Sequence, residues 1–245
     1  MSLDFDGIDD RIHLPTPSGL LRNVGAWTLM AWIRADTLVG NPRIITIAVG
    51  PPPGLSTSSR ATLEIKPAGT LSIGSRRLDT DAAIDLDSVA GTITTGTIFH
   101  VAGTCVYGAT RDSKLYKNGV QIASSSPVSI AGNTSNTDSK NGAIAANDNG
   151  LSGFFDGQFE DIRVYGRALS PDEIATIFAA QGTDGIVDGL QARYLLDEAS
   201  PGTTASVGAT VKDISNNKFN STPGAGVAAP IYREMLRVRK RRSGY

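Results

Sequence analysis

Phe154–Ile174 reads FFDGQFEDIRVYGRALSPDEI, a strand rich in β-branched and aromatic residues that runs into a short, well-marked helix. Ile162 and Val164 alternate toward one face, as a strand with a buried side requires, but Phe159 falls out of that phase. One inserted residue restores the phase, so a β-bulge is expected around Glu160 and Asp161. The helix opens at Ser170, which can cap it, with Pro171 in the first helical position and Glu173 completing a capping box. Leu169 and Ile174 are placed for a hydrophobic staple, Ile174, Ile177 and Phe178 share an apolar face, and Gly182 supplies a stop.

Outward from this stretch the chain continues as short strand-like runs separated by Gly, Asn, Asp and Pro clusters, the pattern of an antiparallel sandwich. Trp27–Arg34 (WTLMAWIR) is apolar on both alternating faces and suits a central strand covered on both sides. TLEIK and LSIGSRRL flank Pro67-Ala68-Gly69 as a hairpin. A second hairpin joins LYK to VQIAS through Asn118-Gly119, because a two-residue type I′ turn needs positive φ at both positions. The expected fold class is therefore all-β with one short helix.

At 245 residues, with 40% hydrophobic and 19% charged residues, 27 Gly and 12 Pro, the chain has ample material for a core and reads as a turn-rich globular protein. No apolar run approaches the length of a membrane helix, and the opening MSLDFDGIDD lacks a signal-peptide pattern, so no membrane insertion is expected. Cys105 is the only cysteine and lies in the apolar run IFHVAGTCV, which makes it a buried small hydrophobe. With two histidines beside it, a Cys/His zinc site, an internal disulfide and a thiol redox centre are excluded within one chain.

The net charge of −1 is unevenly spread: Arg233, Arg237, Arg239, Lys240, Arg241 and Arg242 face only Glu234 in the last fifteen residues, a net +5 that leaves −6 on the rest. Three parts are expected: a sandwich over 1–182, a turn-rich segment over 183–230 too small for its own core, and a basic arm over 231–245. The middle segment should complete or extend the sandwich, or pack on a neighbouring subunit. The arm is the expected partner-binding element.

Four pieces, LDFDGIDDRIHL, AWTLMAWIRADT, FHVAGTCVYGATRDSKLYKNGVQIAS and FFDGQFEDIRVYGRALSPDEI, together resemble the laminin-G-like family of the concanavalin A-like lectin/glucanase superfamily. The resemblance covers most of residues 1–182 and implies a two-sheet antiparallel jelly-roll sandwich. In one respect the chain departs from it: GLQARYLLDEASPGTTASVGATVKDISNNKFNSTPG resembles the segment that usually opens such domains, yet stands near the end. A circular permutation that fills the first-strand position in cis is preferred to a strand swapped between subunits, because sandwich termini often lie close together.

The superfamily includes glycoside hydrolases, which need two carboxylates held across the sugar bond. Glu160 and Asp161 are adjacent, so a regular strand would turn them to opposite faces, and no catalytic residue is assigned. Glu64 reads as a strand surface residue and Glu173 as the helix cap. His100 reads as a core histidine and His13 as a surface one. Calcium is the candidate cofactor, because the family often holds it with carboxylates and carbonyls on edge loops. Asp4, Asp6, Asp9, Asp10, Asp156 and Asp161 are the available acids, and Asp9, Asp10, Asp156 and Asp161 form the candidate metal set. The competing reading is that aspartates in Asp-Gly turns only stabilise the turn. Both tryptophans lie in the core strand, and the loops PPPGLSTSS and NTSNTDSKNG carry no aromatic platform, which weakens a lectin reading.

The function expected is a non-catalytic structural or interaction protein. The resemblance extends to accessory proteins of tailed phages, so the first expectation is a virion component, a capsid decoration or head-surface protein bound to other subunits, with homo-oligomerisation open and nucleic acid not favoured. The alternative is a carbohydrate-binding module for cell-surface glycans, secreted or surface-located, and a glycosidase ranks last.

Overall fold

The computed structural model describes residues 1–15, 19–49, 59–78, 81, 83–108, 112–125, 132–136, 139–147, 150–206, 208–224 and 229–234. In chain order the strands are β1 (Ser2–Asp6), β2 (Arg11–His13), β3 (Ala26–Ala35), β4 (Arg43–Val49), β5 (Ser59–Lys66), β6 (Thr70–Arg76), β7 (Ile84–Asp87), β8 (Ile98–Val106), β9 (Asp112–Lys117), β10 (Val120–Ser125), β11 (Ser139–Ile144) and β12 (Asp156–Tyr165). The helix α1 (Pro171–Ala180) follows, then β13 (Leu190–Tyr194), β14 (Thr222–Gly224) and β15 (Ile231–Arg233).

These strands form two antiparallel sheets, one ordered β10-β9-β8-β3-β12-β1-β15 with β13 also on β12, the other β14-β2-β11-β4-β5-β6-β7. The fold is the two-sheet jelly-roll sandwich. Its core lies between the sheets, where Leu3, Phe5, Trp27, Leu29, Ile33, Ile45, Leu63, Ile73, Phe159 and Val164 interdigitate. β3 is covered on both sides: Trp27, Leu29, Ala31 and Ile33 enter the main core, while Met30 joins Tyr165, Leu169, Ile174 and Ile177 beneath α1. Phe178 of α1 stacks on Trp32 at 5.5 Å between ring centroids.

The local signals act as written. The Asn118-Gly119 turn has φ of 51° and 80° and joins β9 to β10, and β5 pairs with β6 across Pro67-Ala68-Gly69. The Ser170 hydroxyl accepts from the Glu173 N–H and the Glu173 carboxylate accepts from the Ser170 N–H, so the capping box is complete. The helix ends where the glycine signal implies: the C-cap Gln181 turns left-handed, its N–H donating to the Phe178 carbonyl, and Gly182 follows at φ 84°.

The bulge has a structural consequence. Against β3 the register of β12 shifts between Glu160 and Arg163, with Asp161 at φ 50°. On the other side of β12, β1 pairs with residues 156–159 and β13 with 162–165, so two strands share that edge with the bulge between them. β14 adds to β2, and β15 adds to β1, where it places Arg233 beside Ser2. All three late strands thus pair within the same chain. No helix among the described residues is long and apolar enough to cross a membrane.

Candidate functional site

β1 ends at Asp6, and a tight turn through Gly7, Ile8, Asp9 and Asp10 leads into β2. The Asp6 carboxylate accepts from the Ile8 N–H at 2.9 Å and the Asp9 N–H at 3.4 Å, and Asp10 accepts the Asp6 N–H at 3.1 Å. The turn therefore folds back over its own carboxylates, as Asx-turn chemistry predicts. Gly7, at φ +73°, lies against β12 so closely that a Cβ would stand 2.6 Å from that of Asp156. Asp6 is the register partner of Asp156, whose carbonyl accepts from the Asp36 N–H at the end of β3.

The result is an edge pocket of about 200 Å³ lined by Asp4, Asp6, Asp10, Asp36 and Asp156, with Ile231 and Arg233 of β15 on its rim. Carboxylate oxygens of Asp6, Asp9 and Asp10 all lie within 4.8 Å of one another. Asp10 is 2% exposed, and its Oδ1 has no hydrogen-bond partner among the described residues. Burial, opposed in part by the Asp6 N–H and reinforced by the charges of Asp6, Asp9 and Asp4, pushes the Asp10 carboxyl up to about 7. Burial and the neighbouring carboxylates Asp36, Asp4 and Asp6 raise Asp156 as well. Like charges crowded around a buried, unpartnered oxygen disfavour one another unless a cation joins them. The donor set is all oxygen, which suits a hard divalent ion such as calcium.

A family model described as the concanavalin A-like lectin/glucanases superfamily, of laminin G type, matches residues 6–175. The chain belongs to this laminin G-type family. No curated protein sequence matches the domain. Among solved structures, the heptameric SAP-like pentraxin from Limulus polyphemus superposes with a TM-score of 0.63 at 15% identity, covering 97% of each chain. A putative carbohydrate binding protein from Bacteroides ovatus gives a TM-score of 0.59 at 19% identity over 94% of this laminin G-type chain, which spans only 61% of the Bacteroides protein. The CBM40 domain of a Ruminococcus gnavus IT-sialidase, bound to α2,3 sialyllactose, gives 0.57 at 17% identity, covering 73% of this chain and 98% of its own. At these identities the likeness is one of fold.

Of the metal set expected from sequence, the laminin G-type domain brings Asp9 and Asp10 together with Asp6, and Asp156 lines the same pocket. Asp161 stands elsewhere. Positive φ at the bulge turns its side chain into a buried ion network, where it accepts from Arg163 Nε and Nη2 at 3.1 and 2.9 Å and from Arg193 Nε and Nη2 at 2.7 and 3.1 Å. Arg163 also donates twice to Asp184 at 2.8 Å. Burial alone would raise Asp161, but the two guanidinium groups outweigh it and hold its carboxyl below the usual range. Glu160 is 0% exposed and Asp161 2% exposed, so both members of the adjacent acid pair are buried.

Arg233, from the expected partner-binding set, donates to Asp4 Oδ2 at 2.9 Å within the chain. Arg237, Arg239, Lys240, Arg241 and Arg242 lie outside the described residues. His100 is buried against Trp32 and Phe178. His13 is half-buried, and burial together with Arg11 lowers its pKa. Glu64 is buried in an ion pair with Arg43 rather than exposed on the strand surface. The residue that sequence reasoning left out of the pocket is Asp36. Its only signal is its place just after β3, the strand that pairs with the start of β12.

Proposed function

We propose that the domain is a non-catalytic glycan-binding module whose ligand site is the edge pocket at the β1–β2 turn, completed by a calcium ion. The observation that carries this reading is the buried Asp10 Oδ1, without a hydrogen-bond partner among the described residues, at the meeting point of the pocket's carboxylates. A turn held only for the fold would gain nothing from leaving a carboxylate oxygen buried without a donor. Asp6, Asp9 and Asp10 are the ligands, with Asp156 and Asp36 bordering the same space. A bound ion supplies the positive charge that lets sugar hydroxyls approach this acidic rim. Carboxylates not used by the ion accept hydrogen bonds from those hydroxyls, so the buried tryptophans are not needed as a stacking platform.

The likeness to the Bacteroides putative carbohydrate binding protein and to the sialyllactose-bound CBM40 domain supports a glycan as the ligand class. They also favour a secreted or surface location, where glycans are met. The capsid-surface role expected from the sequence draws no such support, and Arg233 is engaged with Asp4 inside the domain. Chromatography on immobilised oligosaccharides tests the reading. Retention in calcium with elution by EDTA is expected, and passage through every column in calcium would refute it.

A further inference from the structure

The outer face of the larger sheet brings a charged pair to the edge pocket that the ion does not use. Leu3, Phe5, Ile33, Ala35, Phe159 and Tyr232 enter the core, so strand alternation turns Asp4, Arg34, Gln158, Ile231 and Arg233 outward. The registers place Arg34, Gln158, Asp4 and Ile231 on one rung that crosses β3, β12, β1 and β15. Arg233 stands one outward position further along β15, opposite Ser2. Its Nε still donates to Asp4 Oδ2 at 2.9 Å, so the side chain lies back along the sheet toward the pocket that both residues line.

The backbone beneath Arg233 is fixed. β1 holds one edge of β15, and on the other the Gly202 N–H donates to the Tyr232 carbonyl at 2.7 Å while the Tyr232 N–H donates to the Thr203 carbonyl at 2.8 Å. The Arg233 side chain is 48% exposed and that of Asp4 21%. Among the described residues, the Arg233 Nη groups and Asp4 Oδ1 make no hydrogen bond, so a charged donor and a charged acceptor stand side by side at the rim. Arg34 differs, since its Nε and Nη2 already grip both oxygens of Asp36. Asp4, Asp6, Asp10, Asp36 and Asp156 line the pocket and Asp9 adjoins it, so among the described residues a divalent ion with Arg34 and Arg233 leaves the carboxylates in excess. Counting Arg11, which donates to the Asp9 carbonyl, does not reverse that sign.

We propose that Arg233 and Asp4 clamp two adjacent hydroxyls of an uncharged sugar at the edge pocket, Arg233 donating to one oxygen and Asp4 accepting from its neighbour. Each contact has one ionised partner, which makes it about twice as strong as a neutral hydrogen bond. A hydroxyl can both donate and accept, so adjacent hydroxyls match a donor beside an acceptor, whereas a sugar carboxylate accepts only and meets like charge. The sugar as ligand class rests on the glycan-binding reading above. The choice among sugars, by hydroxyl position and by charge, rests on the Arg233–Asp4 pair and the surplus of acids around it.

The experiment is equilibrium binding, in calcium, of oligosaccharides ending in neutral hexoses, their terminal monodeoxy analogues and the matching hexuronic acids to the wild-type chain, Arg233→Gln and Asp4→Ala. The shift in melting temperature on adding calcium is recorded for each protein. The wild type should bind a neutral terminus, and removing one hydroxyl of the clamped pair or oxidising the terminus to the acid should weaken binding about 10- to 100-fold. Arg233→Gln should weaken binding of the neutral sugar by a similar factor and become indifferent to loss of one hydroxyl, and Asp4→Ala should do the same for the adjacent one. Both variants should keep the calcium shift. Unchanged binding by the variants, deoxy penalties equal to those of the wild type, or loss of the calcium shift along with the sugar would overturn the clamp and leave the glycan reading standing. Acids bound as tightly as their neutral partners would overturn the uncharged class. Failure of every sugar to bind the wild type would remove the glycan reading and the clamp together.

Discussion

Replacing Asp161 by Asn tests whether this residue belongs to the fold rather than to the metal site. Asp161, Arg163 and Asp184 side chains are each 1% exposed, and Arg193 is 12% exposed. The two carboxylates balance the two guanidinium groups. Asn keeps the shape and one acceptor but leaves a net positive charge buried between β12 and β13. Breaking a buried pair by removing one partner costs about 3–5 kcal/mol. The partial exposure of Arg193 lets solvent take up some of that charge, which favours the lower end, about 3 kcal/mol. For a chain of 245 residues, this is a fall in melting temperature of about 6–12 °C. Because the arginines hold Asp161 below the usual carboxylate range, its contribution is complete above about pH 4 and is lost as the pH falls toward the folded value. Thermal and urea unfolding at neutral pH, each with calcium and with EDTA, measure the effect. The same loss is expected in both media, and adding Arg193→Gln should recover part of it. A loss below about 1 kcal/mol, or one seen only in calcium, would refute the assignment.

Three further perturbations probe other parts of the account. In EDTA, Asp10, raised from 3.8 to about 7, should make stability fall as the pH rises from 3.8 to 7. Calcium or Asp10→Asn should remove that fall, and identical wild-type and variant pH profiles in EDTA would count against it. Ser170→Ala removes the helix cap and should lower stability by about 1 kcal/mol in urea unfolding, with α1 frayed by hydrogen exchange. Gly103→Ala would drive a Cβ to 2.1 Å from Ile73 Cγ2 across the core, and denaturant unfolding should show a loss of about 1–3 kcal/mol.

What the sequence showed of the fold was mostly local. The Phe159–Ile162 phase slip, the Ser170–Glu173 box and the Asn118-Gly119 turn each lie within a few residues, where spacing and backbone preference decide the outcome. The β5–β6 hairpin belongs with them: a turn centred on Ala68 makes Arg60 and Arg76 opposed. The site was only partly legible because its members come from distant strands. Asp9 and Asp10 could be read from the DGIDD turn, but Asp36 arrives through the pairing of β3 with β12. Asp161 looked like a calcium ligand because its partners, Asp184 and Arg193, lie beyond the helix and reach it only when β13 takes the free edge of β12. The short spacing that revealed the bulge gave no sign of where the bulge would point its carboxylate.

The central claim, a cation-assisted glycan site at the β1–β2 turn, is tested most directly by a glycan panel probed with the wild type in calcium, the wild type in EDTA, and Asp10→Asn in calcium. Discrete glycan signals in the first arm that disappear in the other two are the predicted result. Signals equal in all three arms would contradict the claim.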